Sequence, residues 1–431
     1  MSFHKKALYT DMTQNYLTPV EPMSHTRVKV RFRTGRGNVD RVTICYNGQK
    51  AIMRKDSFDD MFDYYAYHIR LTDEPIYYHF EVEAEDESCY YNRLGISKSE
   101  EARYDFILVP GFATPDWAKG AVVYQIYVDR FYNGDSSNDV VNDEYYYQGR
   151  PVKHAGHWND PVSRTDEGTF YGGDLQGIID KMDYLEGLGV EVLYLNPIFV
   201  SPSSHKYDIQ DYRHIDPHFG KIVNREECGL KDGYEQYRGI TTDRENLEAS
   251  DRLFARLVEE AHKRGMKVIL DGVFYCCGSW HRFMDKEGIY ANGDTCSIKG
   301  AYQDSNSPYR EYFQYKNPQD ANSYENWWGY EAYAKFNYEN SRKLYEYILS
   351  VAVKWVSKPF CADGWRVDVA ASVGNNREWN HHFWQDFRKA VKTANPEALI
   401  IAEHYGPAKS WLMGGEWDSV MNCEAFMEPV S

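Results

Sequence analysis

Two short apolar runs hold the residues of this sequence best suited to chemistry. Gly364 to Ala370 reads Gly-Trp-Arg-Val-Asp-Val-Ala, and the run Ala398 to Ala402 is followed directly by Glu403. Side chains alternate along a strand, so Arg366 and Asp368, two apart, point to one face. A guanidinium beside Asp368 favours its ionised form. Such a pair is either a structural ion pair or a nucleophile held by its partner. Glu403 adds a second carboxylate at the tip of a second strand. Two carboxylates on successive strand ends suit glycoside hydrolysis, in which one attacks the anomeric carbon and the other protonates the leaving oxygen, about 5 Å away. Glu403 ends an apolar run, so desolvation is expected to raise its pKa and suit it to the acid role.

The elements that position these residues follow from periodicity. Residues ~1 to 110 read as β-rich. Val28 to Phe32 alternates, Val42 to Tyr46 leads into an Asn-Gly turn, and Ile76 to Val82 is a third strand. Short strands separated by turn signals predict a β-sandwich domain over 1-110. Phe106 to Asp116, with Pro110, Gly111 and Pro115, reads as a linker.

Beyond it the pattern changes to strand, then helix. Ala121 to Phe131 is expected as a strand, Leu175 to Leu188 as a helix stopped by Gly189, and Val190 to Leu195 as the next strand. A further helix is expected after Ser250, stopping at Gly265, before a strand over Lys267 to Phe274. Repeated βα units with long inserts predict an α/β fold, a TIM-type (β/α)8 barrel over 111-431 with its site at the C-terminal strand ends. About six barrel strands are present, the last near Ser419 to Asn422, and the C-terminal part of an eight-stranded barrel is missing. An inserted subdomain is expected around 276-335.

Composition narrows the function classes. The net charge of -16 excludes nucleic acid and anionic membranes as expected partners. No apolar stretch has the length of a membrane span or a signal peptide, which predicts a cytoplasmic protein. Eight scattered Cys, without a CxxC pair, fit reduced thiols. The 37 Tyr and 11 Trp suit either stacking on sugar rings or ordinary packing. Asn133, Asp135, Asn138 and Asp139 place four oxygen-bearing side chains within seven residues, and Gly172-Gly173-Asp174 adds a carbonyl and a carboxylate. On its own this loop is a solvated turn or a calcium site.

Several segments together resemble the α-amylase family, glycoside hydrolase family 13, and within it the neopullulanase, cyclomaltodextrinase and maltogenic amylase branch. Val123 to Tyr127 with Asp129-Arg130-Phe131 is similar to the family's first barrel strand. Asn196-Pro197-Ile198-Phe199 with His205-Lys206-Tyr207-Asp208 is similar to its second strand and loop, and GWRVDVA and IIAEHYG resemble its catalytic strands. The resemblance implies Asp368 as nucleophile, Glu403 as general acid/base and Arg366 as the residue that orients the nucleophile. It implies sugar contacts from Tyr207, His205, Asp208, Tyr405 and Asp271. It also implies structural Ca2+ on Asn133, Asp135, Asn138, Asp139, Gly172 and Asp174, no organic cofactor, and a homodimer. The expected activity is hydrolysis of α-1,4 or α-1,6 glucosidic bonds in maltooligosaccharides, cyclodextrins, pullulan or starch. A family glucanotransferase would share every residue named.

Two departures favour a weakly active or purely sugar-binding chain instead. The strand Val268 to Phe274 continues with Tyr275 and Cys276 where the family has Asn-His. No His-Asp of the family's seventh strand appears before Ser431. His281, His381 and His382 do not supply it; surface or capping roles are expected for them.

Overall fold

The computed structural model describes residues 3–162, 166–225, 234–291 and 298–430. They form two compact units, one of Met1–Ala113 with Met413–Gly415 and one of the remainder.

The first unit contains two antiparallel sheets. One has the order Leu17–Thr18, Arg27–Gly35, Phe62–Arg70, Arg54–Phe58. The other runs Gln49–Ile52, Arg41–Tyr46, Ile76–Ala84, Glu87–Asn92, Gly95–Ser97, with Phe106–Leu108 also on Ile76–Ala84. Alternation decides which side chains face inward: Val28, Val30 and Phe32 of the first sheet share one core with Val42, Ile44, Phe80 and Val82 of the second. The Phe32 and Phe80 rings lie 4.6 Å apart across it. The expected Asn-Gly turn is present, with Asn47 and Gly48 both at positive φ between paired strands.

The second unit is built on six parallel strands in sequence order: β1 (Val123–Ile126), β2 (Val192–Leu195), β3 (Lys267–Gly272), β4 (Gly364–Val367), β5 (Leu399–Ala402) and β6 (Ser419–Val420). Helices return the chain between strands: α1 (Leu175–Asp180), α2 (Met182–Gly187), α3 (Arg244–Lys263), α4 (Arg342–Val356) and α5 (Arg377–Ala394). This is the incomplete barrel wall that the alternating pattern predicts. Between the wall and its helices lies an aromatic layer in which Trp355 packs on Phe199 and Phe254 at 5.2 and 5.6 Å. Both buried indoles there are satisfied, Trp355 donating to the Tyr212 carbonyl and Trp365 to that of Ala352. After β3, Cys276–Gly278, Tyr330–Lys335 and Asn326–Trp327 form a small antiparallel sheet.

Local chemistry moved several boundaries. The helix expected after Ser250 starts at Arg244, because the Asp243 carboxylate caps it by accepting the Asn246 N–H. Ser250 is buried inside that helix and donates back to the Asn246 carbonyl. The single helix expected over Leu175 to Leu188 is two, divided at Lys181. The first strand is only Val123–Ile126, and Val128–Arg130 turns as a 3-10 helix. Among the described residues, no helix is long and apolar enough to cross a membrane.

Candidate active site

Parallel register places the functional groups. β3 pairs with β4 so that Asp271 lies beside Arg366, and β4 pairs with β5 so that Arg366 lies beside Ile401. Just past the strand ends, the Asp368 N–H donates to the Gly272 carbonyl, and the Glu403 N–H donates to the Val367 carbonyl. Three carboxylates from three strands therefore meet one guanidinium. Arg366 Nη1 donates to Asp271 Oδ1 at 2.9 Å and to Asp368 Oδ1 at 2.6 Å, while its Nη2 lies 3.1 Å from Glu403 Oε2.

Val369, between the two strand ends, sits in the left-handed region at φ 43°. For a β-branched residue this costs about 1–3 kcal/mol. The conformation aims the Val369 N–H at Glu403 Oε2, 3.1 Å away.

One cation cannot neutralise three carboxylates, and burial acts against the charge of each. Burial foremost, with Asp271 and Glu403 adding to it, pushes the Asp368 carboxyl well above the ordinary carboxylate range against the pull of Arg366. Burial also pushes Glu403 up, but Arg366, the Val369 N–H and hydrogen bonds to Asp368 and Tyr405 outweigh it and hold Glu403 below its usual value. Both directions reverse the expectation from sequence. An Arg neighbour alone would keep Asp368 ionised, but the sequence did not reveal that Arg366 is shared, or that Glu403 takes part of it. The two carboxyls titrate as one coupled pair.

The other expected sugar-contacting residues fall into two groups. Tyr405 is 60% exposed, its hydroxyl 3.3 Å from Glu403 Oε1. Tyr207 is half-buried and donates to Asp271 Oδ2 at 2.8 Å, the oxygen that also accepts from Tyr194 at 2.6 Å. His205 is half-buried; its Nδ1 accepts the Tyr207 N–H at 3.0 Å. Asp271 is only 1% exposed, so its place is behind Arg366. Asp208 is equally buried and accepts from Ser201, Ser203 and Tyr147, which makes it an organiser of the loop after β2.

Sequence reasoning missed the aromatic wall of the cleft. A cavity of about 500 Å3 joins Glu403, His404 and Tyr405 to Trp327 and Trp328. Trp328 is 86% exposed and stacks on Trp327 at 5.4 Å, and Tyr330 stacks on the same indole at 5.7 Å. The Trp-Trp-Gly-Tyr cluster was visible in the sequence, but its distance from Glu403 along the chain hid the connection. Tyr275 and Cys276 are buried; the Tyr275 ring lies 6.3 Å from that of Trp327.

Of the histidines, His281 departs from the surface reading. It is fully buried, with its ring on Phe283 at 4.4 Å, although its Nδ1 does cap a turn by accepting the Phe283 N–H. His381 binds Glu416 at 2.8 Å and stacks on Trp411, and His382 is exposed beside Asp386.

The residues of the expected calcium loop converge only in part. Asn133 Nδ2 donates to Asp139 Oδ1 at 2.8 Å, and a Cβ on Gly172 would lie 2.5 Å from both of those atoms. Gly172, at φ +80°, is therefore required there. Asn138 donates through Nδ2 to Asp174 and to the Gly220 carbonyl, leaving its Oδ1 buried without a partner. Burial raises the Asp139 carboxyl above its ordinary value. An orphaned amide oxygen and a desolvated carboxylate on successive residues are the kinds of oxygen donor a hard cation takes. The other two carboxylates are engaged elsewhere. Asp174 caps α1 and accepts the N–H groups of Gly134, Asp135 and Gly177, and Asp135 is paired with Lys221 and Ser137. Among the described residues, no three His, Cys, Asp or Glu side chains form a metal-binding group.

A parallel-barrel wall with paired carboxylates at its C-terminal edge defines a class of glycoside-processing protein. The pattern of the alpha amylase catalytic domain matches residues 125–228 and 250–429, and that of the alpha amylase N-terminal ig-like domain matches residues 1–109. The chain belongs to the alpha-amylase family. It is 34% identical over 424 residues to neopullulanase 2 of Thermoactinomyces vulgaris, covering 93% of this chain and 61% of that protein. It is 33% identical over 431 residues to a cyclomaltodextrinase of Thermoanaerobacter pseudethanolicus, covering 93% and 62%. The structure of the type III pullulan hydrolase from Thermococcus kodakarensis superimposes with a TM-score of 0.62 at 27% identity, covering 96% of this chain and 64% of that one. The chain thus spans less than two thirds of each of these relatives.

Proposed function

We propose that the chain is a retaining α-glucan hydrolase acting on α-1,4 or α-1,6 glucosidic bonds of oligosaccharides such as maltooligosaccharides, cyclodextrins or pullulan. The observation that carries this reading is the convergence of Asp368 and Glu403 on Arg366 at adjacent strand ends. Asp368 attacks the anomeric carbon as a carboxylate, and Glu403 protonates the leaving oxygen and later activates water. In the free chain the pKa directions run the other way, so binding of the sugar has to leave Asp368 ionised and Glu403 protonated. Arg366 serves both states, since it contacts both carboxylates. Trp328, stacked on Trp327 beside Tyr405, offers an apolar face to the sugar on the leaving-group side. Incubation with maltotriose, a cyclodextrin and pullulan, followed by NMR of the first products, tests the reading. Initial release of the α-anomer supports it, and initial release of the β-anomer refutes it.

Calcium is part of the proposal. Asn133, Asn138, Asp139 and the Gly172 carbonyl would hold it, and the ion would pin the loop after β1 in a structural role. The resemblance to the neopullulanase branch supports a homodimer, which light scattering would check. A cytoplasmic location is supported by six free thiols among the described cysteines.

A further inference from the structure

A cavity of about 350 Å3 lies on the helical side of the barrel wall, away from the carboxylates at the strand ends, with Lys221, Arg252 and Arg256 in its lining. Arg252 and Arg256 are one turn apart on α3, a spacing at which like charges repel. Their counter-charges are few. Arg252 reaches only Glu248, at 4.0 Å, and Arg256 makes no ion pair among the described residues. Lys221 is held by Asp135, the one carboxylate in the lining. Leu253 and Ala249 complete the lining, and the Arg252 side chain above them is 70% exposed. Among the described residues, these three cations have two carboxylate partners, Asp135 and the more distant Glu248.

We propose that this pocket binds a phosphoryl dianion, free or carried on a small organic molecule. Arg252 and Arg256 present forked donors matched to phosphate oxygens, and Lys221 supplies a point charge. The anion relieves the repulsion along α3 and competes with Asp135 for Lys221. That competition gives the site a signature, because weakening the Lys221–Asp135 pair strengthens anion binding.

The test is isothermal titration of the whole chain with inorganic phosphate, at constant ionic strength in a chloride background. Saturable binding is expected. Arg252→Ala and Arg256→Ala each weaken it by about tenfold or more, the usual consequence of losing a charge-assisted contact. Asp135→Asn tightens it, and Lys389→Ala, an equal change of charge at an exposed position of α5, leaves it unaltered. Circular dichroism melts confirm that each variant is folded, and Arg256→Gln repeats the test with a bulkier neutral side chain. Glucose 1-phosphate titrated beside inorganic phosphate separates the sources: tighter binding of the ester assigns a sugar phosphate, and equal binding assigns the free anion. The absence of saturable heat with phosphate, or affinities unchanged in both arginine variants, overturns the proposal.

Discussion

Arg366 Nη2 lies 3.1 Å from Glu403 Oε2, although the two residues come from different strands, and the same guanidinium grips Asp368 at 2.6 Å. This shared cation ties the two carboxyls of the proposed reaction into one titrating unit. Replacing it with an apolar side chain in Arg366→Met leaves two buried carboxylates and the half-buried Glu403 without a counter-ion. The expected cost is about 3–5 kcal/mol of stability at neutral pH. Chemical denaturation should show that deficit shrinking at low pH, where the carboxyls take up protons.

Asp368 sets stability against function. Its folded pKa is raised, so the folded state binds more protons than the unfolded chain, and its contribution is lost as pH rises from the unfolded value of 3.8 through the folded one. Asp368→Asn, neutral at every pH, should therefore raise the melting temperature at pH 7 and change it little near pH 4. The same variant should abolish glycosyl-enzyme formation. A lower melting temperature at pH 7 would contradict the assigned direction.

His218 titrates in the opposite context. It is fully buried between Glu144 Oε1 at 2.9 Å and Asp216 Oδ1 at 3.2 Å. Burial pulls its pKa down, but the two carboxylates outweigh burial and hold it above 6.5. Its stabilisation is fully present below pH 6.5 and is lost as pH rises through the folded pKa. Melting curves should fall as pH rises above 6.5, and His218→Gln should flatten that fall while lowering stability at pH 6.

Trp328 is exposed enough that Trp328→Ala should change stability by no more than about 0.5 kcal/mol. Loss of its stacking face should raise KM for longer oligosaccharides several-fold, with a smaller effect on maltose-sized substrates. Equal effects on both would remove Trp328 from the substrate path.

Calcium binding to the Asn133–Asp139 loop should appear as a fall in melting temperature in excess chelator, since a ligand of the folded state stabilises it by mass action. Asp139→Asn should reduce that fall. An unchanged melt, with no metal by elemental analysis, would leave the loop as a turn capped by Asp174.

Much of this architecture was legible because its signals are local. The alternation of Val28 to Phe32, the helical stripe ending at Gly265 and the apolar runs before Asp368 and Glu403 each fix an element within a few residues. What was not legible depends on contacts distant in sequence. Asp271 and Arg366 are 95 residues apart, and only strand register shows that they share a charge. The directions in which the Asp368 and Glu403 pKa values move follow from that sharing, so reasoning from neighbours alone reversed them. Trp328 escaped notice for the same reason, and so did the burial of His281 under Phe283.

Asp368 as the nucleophile forms a covalent bond to the sugar, and trapping that intermediate tests the assignment. An activated fluorinated α-glucosyl donor, reacted with the Glu403→Gln variant so that the acid/base step is slowed, should leave one added sugar mass per chain. Tandem mass spectrometry should place that mass on Asp368, and Asp368→Asn should show none. A label on Asp271, on another carboxylate or on none, under conditions where the unmodified chain turns the donor over, would remove Asp368 from the nucleophile's role.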